Sequence, residues 1–184
     1  MPKTINMRKP VKPLIVLLVL GFLLPACQSP QQKQLNKIKI LEDELFVNVT
    51  GMIDRVKASE LVDAYEEYSN ANPDEELAGE YLFRAGDICM NTGYPEKAIE
   101  IYTRVFRDYT AYEKHPESLF LIAFIYENQL LNFEKAEQSY RQFLELYPEH
   151  ELANDAEILL QHLGKSADDM VKEFEEKLKA QEGL

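Results

Sequence analysis

The residues able to act as nucleophile, base or metal ligand are few: two cysteines, Cys27 and Cys89, and three histidines, His115, His150 and His162. Cys27 lies where an oily run turns polar, in "PLIVLLVLGFLLPACQSPQQKQ". Cys89 stands in "FRAGDICMNTG" among apolar neighbours at helical spacing, with no nearby histidine or clustered base to lower its pKa. It reads as a small buried hydrophobe. The histidines are scattered, two of them at turns close to Pro116 and Pro148, and they do not form a ligand set. Acid pairs such as Glu66-Glu67, Glu75-Glu76 and Glu175-Glu176 could be imagined as acid–base couples. Adjacent helical residues diverge by about 100° around the axis, however, so these pairs read as solvated faces. No phosphate-binding loop, dinucleotide glycine pattern, Gly-x-Ser-x-Gly or His-Glu-x-x-His is present. The expectation is a chain that is not an enzyme, with no catalytic residue, no metal site and no cofactor.

The segment ahead of Cys27 explains that cysteine. Leu14–Leu24 is an apolar run of eleven residues, about 16 Å as a helix, which falls short of a bilayer core of about 30 Å. Lys3, Arg8, Lys9 and Lys12 precede it, and no acid occurs before Cys27. These are the marks of a secretory signal peptide over residues 1–26. The "LPA" before Cys27 resembles the bacterial lipoprotein box, in which a peptidase cuts before the cysteine and the thiol carries diacylglycerol; Pro25 departs from the small or aliphatic residue usual there. That resemblance implies a lipidated Cys27, anchorage in the outer membrane because Gln28 is not a retention aspartate, and a periplasmic orientation. With Cys27 so used, no intramolecular disulfide is available.

The chain carries 20 basic and 32 acidic residues, a formal charge of −12, and the leader holds only bases. Such a surface repels phosphate backbones and anionic headgroups, so nucleic acid is not an expected partner and lipid must supply the anchoring. No small-molecule substrate is expected either.

Beyond the leader, residues 27–34 read as the lipidated cysteine and a flexible tether, since "QSPQQKQ" has nothing apolar to bury. From residue 35 to 184 the pattern is helical. Leu35, Ile38, Leu41, Leu45 and Val49 recur at threes and fours until Thr50-Gly51, and a second helix from about Ala58 to Ala71 carries Leu61, Ala64, Tyr65 and Tyr68 inward. Two later blocks then superimpose: "YLFRAGDICMNTGYPEKAIEIYTRVFRDY" and "SLFLIAFIYENQLLNFEKAEQSYRQFLELYP", the second with one extra residue near Leu130. Ala85-Gly86 and Ala123 let a second helix approach closely, and a tyrosine fills the space beside each. "ELANDAEILLQHLGK" adds a helix with Ala153, Ala156, Leu159, Leu160 and Leu163 inward, ending at Gly164. Ser166 with Asp169 forms a capping box for a terminal helix carrying Met170, Val171, Phe174 and Leu178, read as the end cap of a stack.

These blocks resemble the tetratricopeptide repeat. Leu82, Ala85, Gly86, Gly93, Ala98 and Tyr102 match its series in the first block; Leu119, Ile122, Ala123, Tyr126, Phe133, Ala136, Tyr140, Phe143 and Pro148 match it in the second. The earlier segment keeps only the later half, with Tyr65, Tyr68 and Pro73. The linker "TAYEKHP" lengthens the period. The resemblance implies an all-α, TPR-like helical-hairpin solenoid with a C-terminal capping helix. It also implies a scaffold that binds an envelope protein or peptide segment. The whole is similar to the repeat lipoprotein of the outer-membrane β-barrel assembly machinery; proteins coordinating cell-wall synthesis or division, and accessory subunits of lipid-anchored enzymes or uptake complexes, are the alternatives. In the family the first helix of each hairpin lines the concave face, which places Phe83, Asp87, Asn91, Phe120, Phe124 and Asn128 outward as the partner groove. Glu80, Asp87, Glu117 and Glu127 would surround it with negative charge, favouring an apolar or basic ligand.

Overall fold

The computed structural model describes residues 28–46 and 53–182. Among them are eight α-helices: α1 Pro30–Phe46, α2 Arg55–Ala71, α3 Glu76–Thr92, α4 Pro95–Asp108, α5 His115–Asn128, α6 Phe133–Leu146, α7 Ala153–His162 and α8 Ala167–Glu182. Each helix from α1 to α6 packs on the next in sequence. The result is three hairpins, α1–α2, α3–α4 and α5–α6, followed by α7.

Local chemistry sets the helix ends. Asp54 caps α2, its carboxylate accepting from the N–H groups of Val56 at 2.9 Å and Lys57 at 3.3 Å. Gly93 closes α3 at φ +85°, which lets the Tyr94 N–H reach the Cys89 carbonyl at 2.9 Å; Pro95 then opens α4 where no amide donor is needed. Ser166 and Asp169 form the expected reciprocal box at α8: the Ser166 hydroxyl donates to the carboxylate at 2.6 Å and accepts the Asp169 N–H at 3.2 Å. Gly164 takes the left-handed conformation (φ +73°) just beyond α7.

The extra residue of the second block is accommodated at a cost. Leu131 in the α5–α6 turn has φ +50°, a conformation that crowds its Cβ, and its side chain is 66 % exposed. Little packing is gained in return. We expect Leu131→Asn to raise the thermal midpoint, equivalent to about 1 kcal/mol, since asparagine tolerates the left-handed region. A midpoint that falls would mean that the leucine contributes packing worth more than its strain.

The hairpins close on buried tyrosines. A Cβ at Gly86 would lie 2.6 Å from the Tyr102 ring, so α3 and α4 meet as closely as a glycine allows. Ala85, Ala98, Ala123, Ala136, Tyr102 and Tyr140 are all fully buried. Each tyrosine hydroxyl then finds a carboxylate on the first helix of its own hairpin: Tyr102 donates to Asp87 at 2.6 Å and Tyr140 to Glu127 at 2.8 Å. Tyr65 of α2 does the same to Glu42 of α1 at 2.6 Å. The first hairpin is therefore complete, and α1 is its first helix rather than a separate element.

Two sequence expectations are corrected at the ends of the chain. The tether assigned to residues 27–34 is helical from Pro30, because α1 packs along α2 over its whole length: Gln31 donates to the Tyr68 hydroxyl at 3.2 Å, and Asn72 to Gln34 at 3.2 Å. At the other end α7 caps the stack, burying Ala153 and Ala156 with Leu159, Leu160 and Leu163 half-buried against α5–α6. In α8, by contrast, Met170, Val171 and Leu178 remain exposed, so this helix does not seal the stack. Cys27, Val49 and Thr50-Gly51 lie outside the described residues.

Candidate functional site

The first helices meet along one face. Arg84 of α3 donates from Nη1 to Glu42 of α1 at 2.9 Å and from Nη2 to Glu80 one turn earlier. Gln129, just beyond α5, donates to the Met90 carbonyl of α3 at 3.2 Å. A surface cavity of about 520 Å³ opens where α1, α2 and α3 converge. Leu45, Phe46, Ile53 and Ile88 give it apolar walls; Arg84, Asp87 and Asn91 supply its polar side. Volume and lining are those of a ligand-sized cleft.

Of the six groove residues expected from the repeat register, Asp87 and Asn91 line this cavity. Asn128 is exposed and Phe124 half-buried one hairpin further on. Phe83 and Phe120 are not outward. Phe83 is 3 % exposed, its ring 5.4 Å from that of Tyr102 and 5.9 Å from Tyr112, with Lys114 Nζ 5.3 Å above it. The long α4–α5 linker, which supplies Tyr112 and Lys114, folds back over the position. Phe120 is 8 % exposed and packs at 5.7 Å against both Tyr140 and Phe143. Phe83 and Phe120 are core, because large apolar side chains beside the hairpin tyrosines gain more from burial than from solvent contact.

Polarity on this face is set by what is already bonded. Burial raises the Asp87 carboxyl above the usual range, outweighing the Tyr102 hydrogen bond and the nearby Lys114 and Arg84 charges, which pull the other way. Glu117 is raised as well, again chiefly by burial. Asn91 Nδ2 is donated back to the Asp87 carbonyl at 2.8 Å, and Asn128 Nδ2 to that of Phe124 at 3.0 Å. Each amide keeps its oxygen and its second N–H beyond that bond. Glu42, Leu45, Phe46 and Ile53 were missing from the expected site. The longer α1–α2 connection hides their register, and the Glu42–Tyr65 separation of 23 residues does not resemble the 15 and 13 of the later hairpins.

Elsewhere the candidates for chemistry have structural partners. Cys89 is 4 % exposed, and burial pushes its thiol up to about 11, the opposite of an activated nucleophile. His115 bridges the α4–α5 linker to Tyr147, with Nε2 2.9 Å from the hydroxyl, and His150 Nδ1 accepts the Leu152 N–H at 3.2 Å. His162 Nδ1 is buried without a hydrogen bond. Among the described residues no group of three or more His, Cys, Asp or Glu side chains is placed to hold a metal, and no helix is long and apolar enough to cross a membrane. Glu66, expected on a solvated face, is instead only 16 % exposed in its side chain and takes Lys97 Nζ at 3.1 Å and Arg104 Nη1 at 3.2 Å.

The two edges of the stack differ. The hairpin turns lie together along one edge, since Arg55 Nη2 is 3.6 Å from a Cβ at Gly93, Gln129 reaches Met90, and the Phe133 ring is 3.5 Å from a Cβ at Gly164. Exposed Phe46, Ile53, Val56, Tyr94, Leu131 and Phe133 mark it. On the opposite edge, Asp74, Glu75, Glu76, Glu80, Asp108 and Glu113 surround a cavity of about 700 Å³.

A tetratricopeptide-repeat profile matches residues 79–107, and another matches residues 117–150. No curated protein matches the chain. The matched ranges coincide with hairpins α3–α4 and α5–α6, and the tyrosine–carboxylate bond common to both recurs in α1–α2. The chain thus carries tetratricopeptide repeats within an all-α solenoid.

Proposed function

We propose that this protein is a lipid-anchored periplasmic scaffold that holds a protein partner on its first-helix face and serves cell-envelope assembly, and that it catalyses no reaction itself. The observation that carries the scaffold reading is the pair of tetratricopeptide repeats, with a ligand-sized cavity on the face that such repeats use for protein partners. The envelope location rests on the leader and the box before Cys27. Outer-membrane protein assembly is the pathway favoured by that combination.

The anchor point has a physical consequence. α1 begins beside the end of α2, through Gln31–Tyr68 and Gln34–Asn72, and so starts at the acidic edge. A lipid at Cys27 suspends the domain by that edge. Anionic headgroups repel it, which holds the stack off the bilayer and leaves the first-helix face accessible from the side.

Photo-crosslinkers placed at Asn91 and Asn128 should capture one shared envelope protein in cells, whereas a crosslinker at exposed Arg141 on α6 should not. Equal capture from all three positions would remove the groove reading. Labelled fatty acid should enter the wild type and be absent from Cys27→Ala; label persisting in that variant would remove the anchor.

A further inference from the structure

We infer that a second copy of this chain docks on the second-helix face: Leu131 of each copy enters the other's groove between α4 and α6, and Glu134 of each meets Lys135 of the other across a two-fold axis. The scaffold reading concerns the first-helix face and stands or falls separately.

Leu131 is the one non-glycine residue at positive φ among the described residues, in a left-handed position that glycine fills at two other helix ends, Gly93 and Gly164. Its side chain is nevertheless 66 % exposed, so neither backbone preference nor internal packing accounts for a leucine there. Strain held at an exposed apolar side chain points to a contact made outside the chain. The same surface offers a matching recess. A groove of about 380 Å³ runs between α4 and α6 over α5, with Ile99, Phe106, Leu119, Ile122 and Tyr126 among its lining. Both α4 and α6 begin at the turn edge, and Leu131 stands in the turn that opens α6, just ahead of Lys135 on the groove wall. One hairpin earlier, Glu66 of α2 bridges the corresponding junction to Lys97 and Arg104. Here the ion pairs of Arg107 and Arg141 stay within their own helices, and the junction is left open.

Charge selects a second copy over another apolar segment. No carboxylate lines the groove, and its one cation, Lys135, makes no ion pair; the ammonium rests 5.1 Å above the Tyr126 ring. Glu134, next to it in sequence, is exposed and unpaired as well. Gln138, Ser139 and Gln142 both donate and accept, so they favour neither sign, and the Thr103 hydroxyl donates to the Ile99 carbonyl at 2.7 Å. Adjacent residues of opposite charge, each without an internal partner, are self-complementary. A two-fold axis along α6 sets them at equal height and forms two reciprocal pairs. The same axis directs α1 of both copies, and with it the anchor proposed at Cys27, to one side, so two chains in one bilayer meet this way.

The full-length chain in detergent, with micelles in large excess, should sediment as a dimer. Leu131→Asn should weaken association at least tenfold; asparagine suits the left-handed backbone, so unchanged helicity separates this loss from misfolding. Glu134→Lys and Lys135→Glu should each weaken it at least tenfold. An equimolar mixture of those two variants should recover the dimer to within threefold of wild type, because each then supplies the charge the other lacks. In cells, a photo-crosslinker at exposed Gln138 should give an adduct of two chains. A wild type that stays monomeric at its highest soluble concentration, a dimer indifferent to all three substitutions, a mixture that fails to recover, or a Gln138 adduct with a different protein alone would overturn the assignment. Capture from Asn91 and Asn128 reads the first-helix face, so the scaffold reading is tested apart from this one.

Discussion

Gly86→Ala should lower stability by about 1–3 kcal/mol, although in an open helix the same change would add about 0.8–1 kcal/mol through helix propensity. Overpacking decides the sign. The new methyl would lie 2.6 Å from Cε1, 2.8 Å from Cζ and 2.9 Å from Cδ1 of Tyr102. That ring is fully buried and fixed at its far end by the hydrogen bond to Asp87, so it cannot step aside without breaking that bond or moving α4. Gly79 supplies the control about two turns earlier. A methyl there would meet Cβ and Cδ1 of Tyr109 at 3.1 Å, so a shift of a few tenths of an ångström at the half-buried end of α4 relieves it. Gly79→Ala should therefore stay within about 0.5 kcal/mol of wild type, its propensity gain offsetting a small displacement. Urea denaturation of the two variants in parallel checks the pair. If they shift alike, the close approach of α3 to α4 is not the constraint on Gly86.

That glycine also shows what was legible in the sequence. Ala85-Gly86, Ala98 and Tyr102 announce a tight helix crossing by residue size alone, and the alignment of two blocks fixes the period. Both are local facts, and the fold follows from them. The first hairpin was only half legible because its repeat signature depends on spacing, and a longer connection shifts α1 out of register with α2. The partner Tyr65 finds in Glu42 can be recognised only once the helices are side by side.

The site was less legible than the fold. Register alone places Phe83, Asp87 and Asn91 on one side of α3, and it cannot say which of them a neighbouring segment covers. Tyr112 and Lys114 belong to a linker whose sequence, "TAYEKHP", looks like a simple spacer. Their closure over Phe83 is a tertiary contact with no local signal. Asp87 and Asn91, one and two turns further along the helix, line the cavity instead. The same limit applies to acidic residues, where adjacent letters of one type take opposite environments.

Glu66 and Glu67 make that last point measurable. Replacing Glu66 by alanine should cost about 1.5–3 kcal/mol, the range for hydrogen bonds to charged groups, because two cations lose a shared carboxylate at once. Lys97 and Arg104 reach it from α4 across the α2–α4 junction, with side chains 39 % and 24 % exposed, and Arg104 is further held by Asn70 at 2.7 Å. Left without Glu66, Lys97 keeps only the longer contact to Glu100 at 3.6 Å and Arg104 only Asn70. Glu67 makes the nominally similar contact to Lys37 at 2.9 Å, but both side chains are more than half exposed. An exposed pair of this kind contributes about 0–1 kcal/mol, and salt screens it. Glu67→Ala should therefore differ little from wild type, and its small effect should vanish at high ionic strength, whereas the Glu66→Ala loss should persist. Equal destabilisation of the two variants, or a Glu66 effect that disappears in salt, would show that Glu66 does not hold the junction between the first two hairpins.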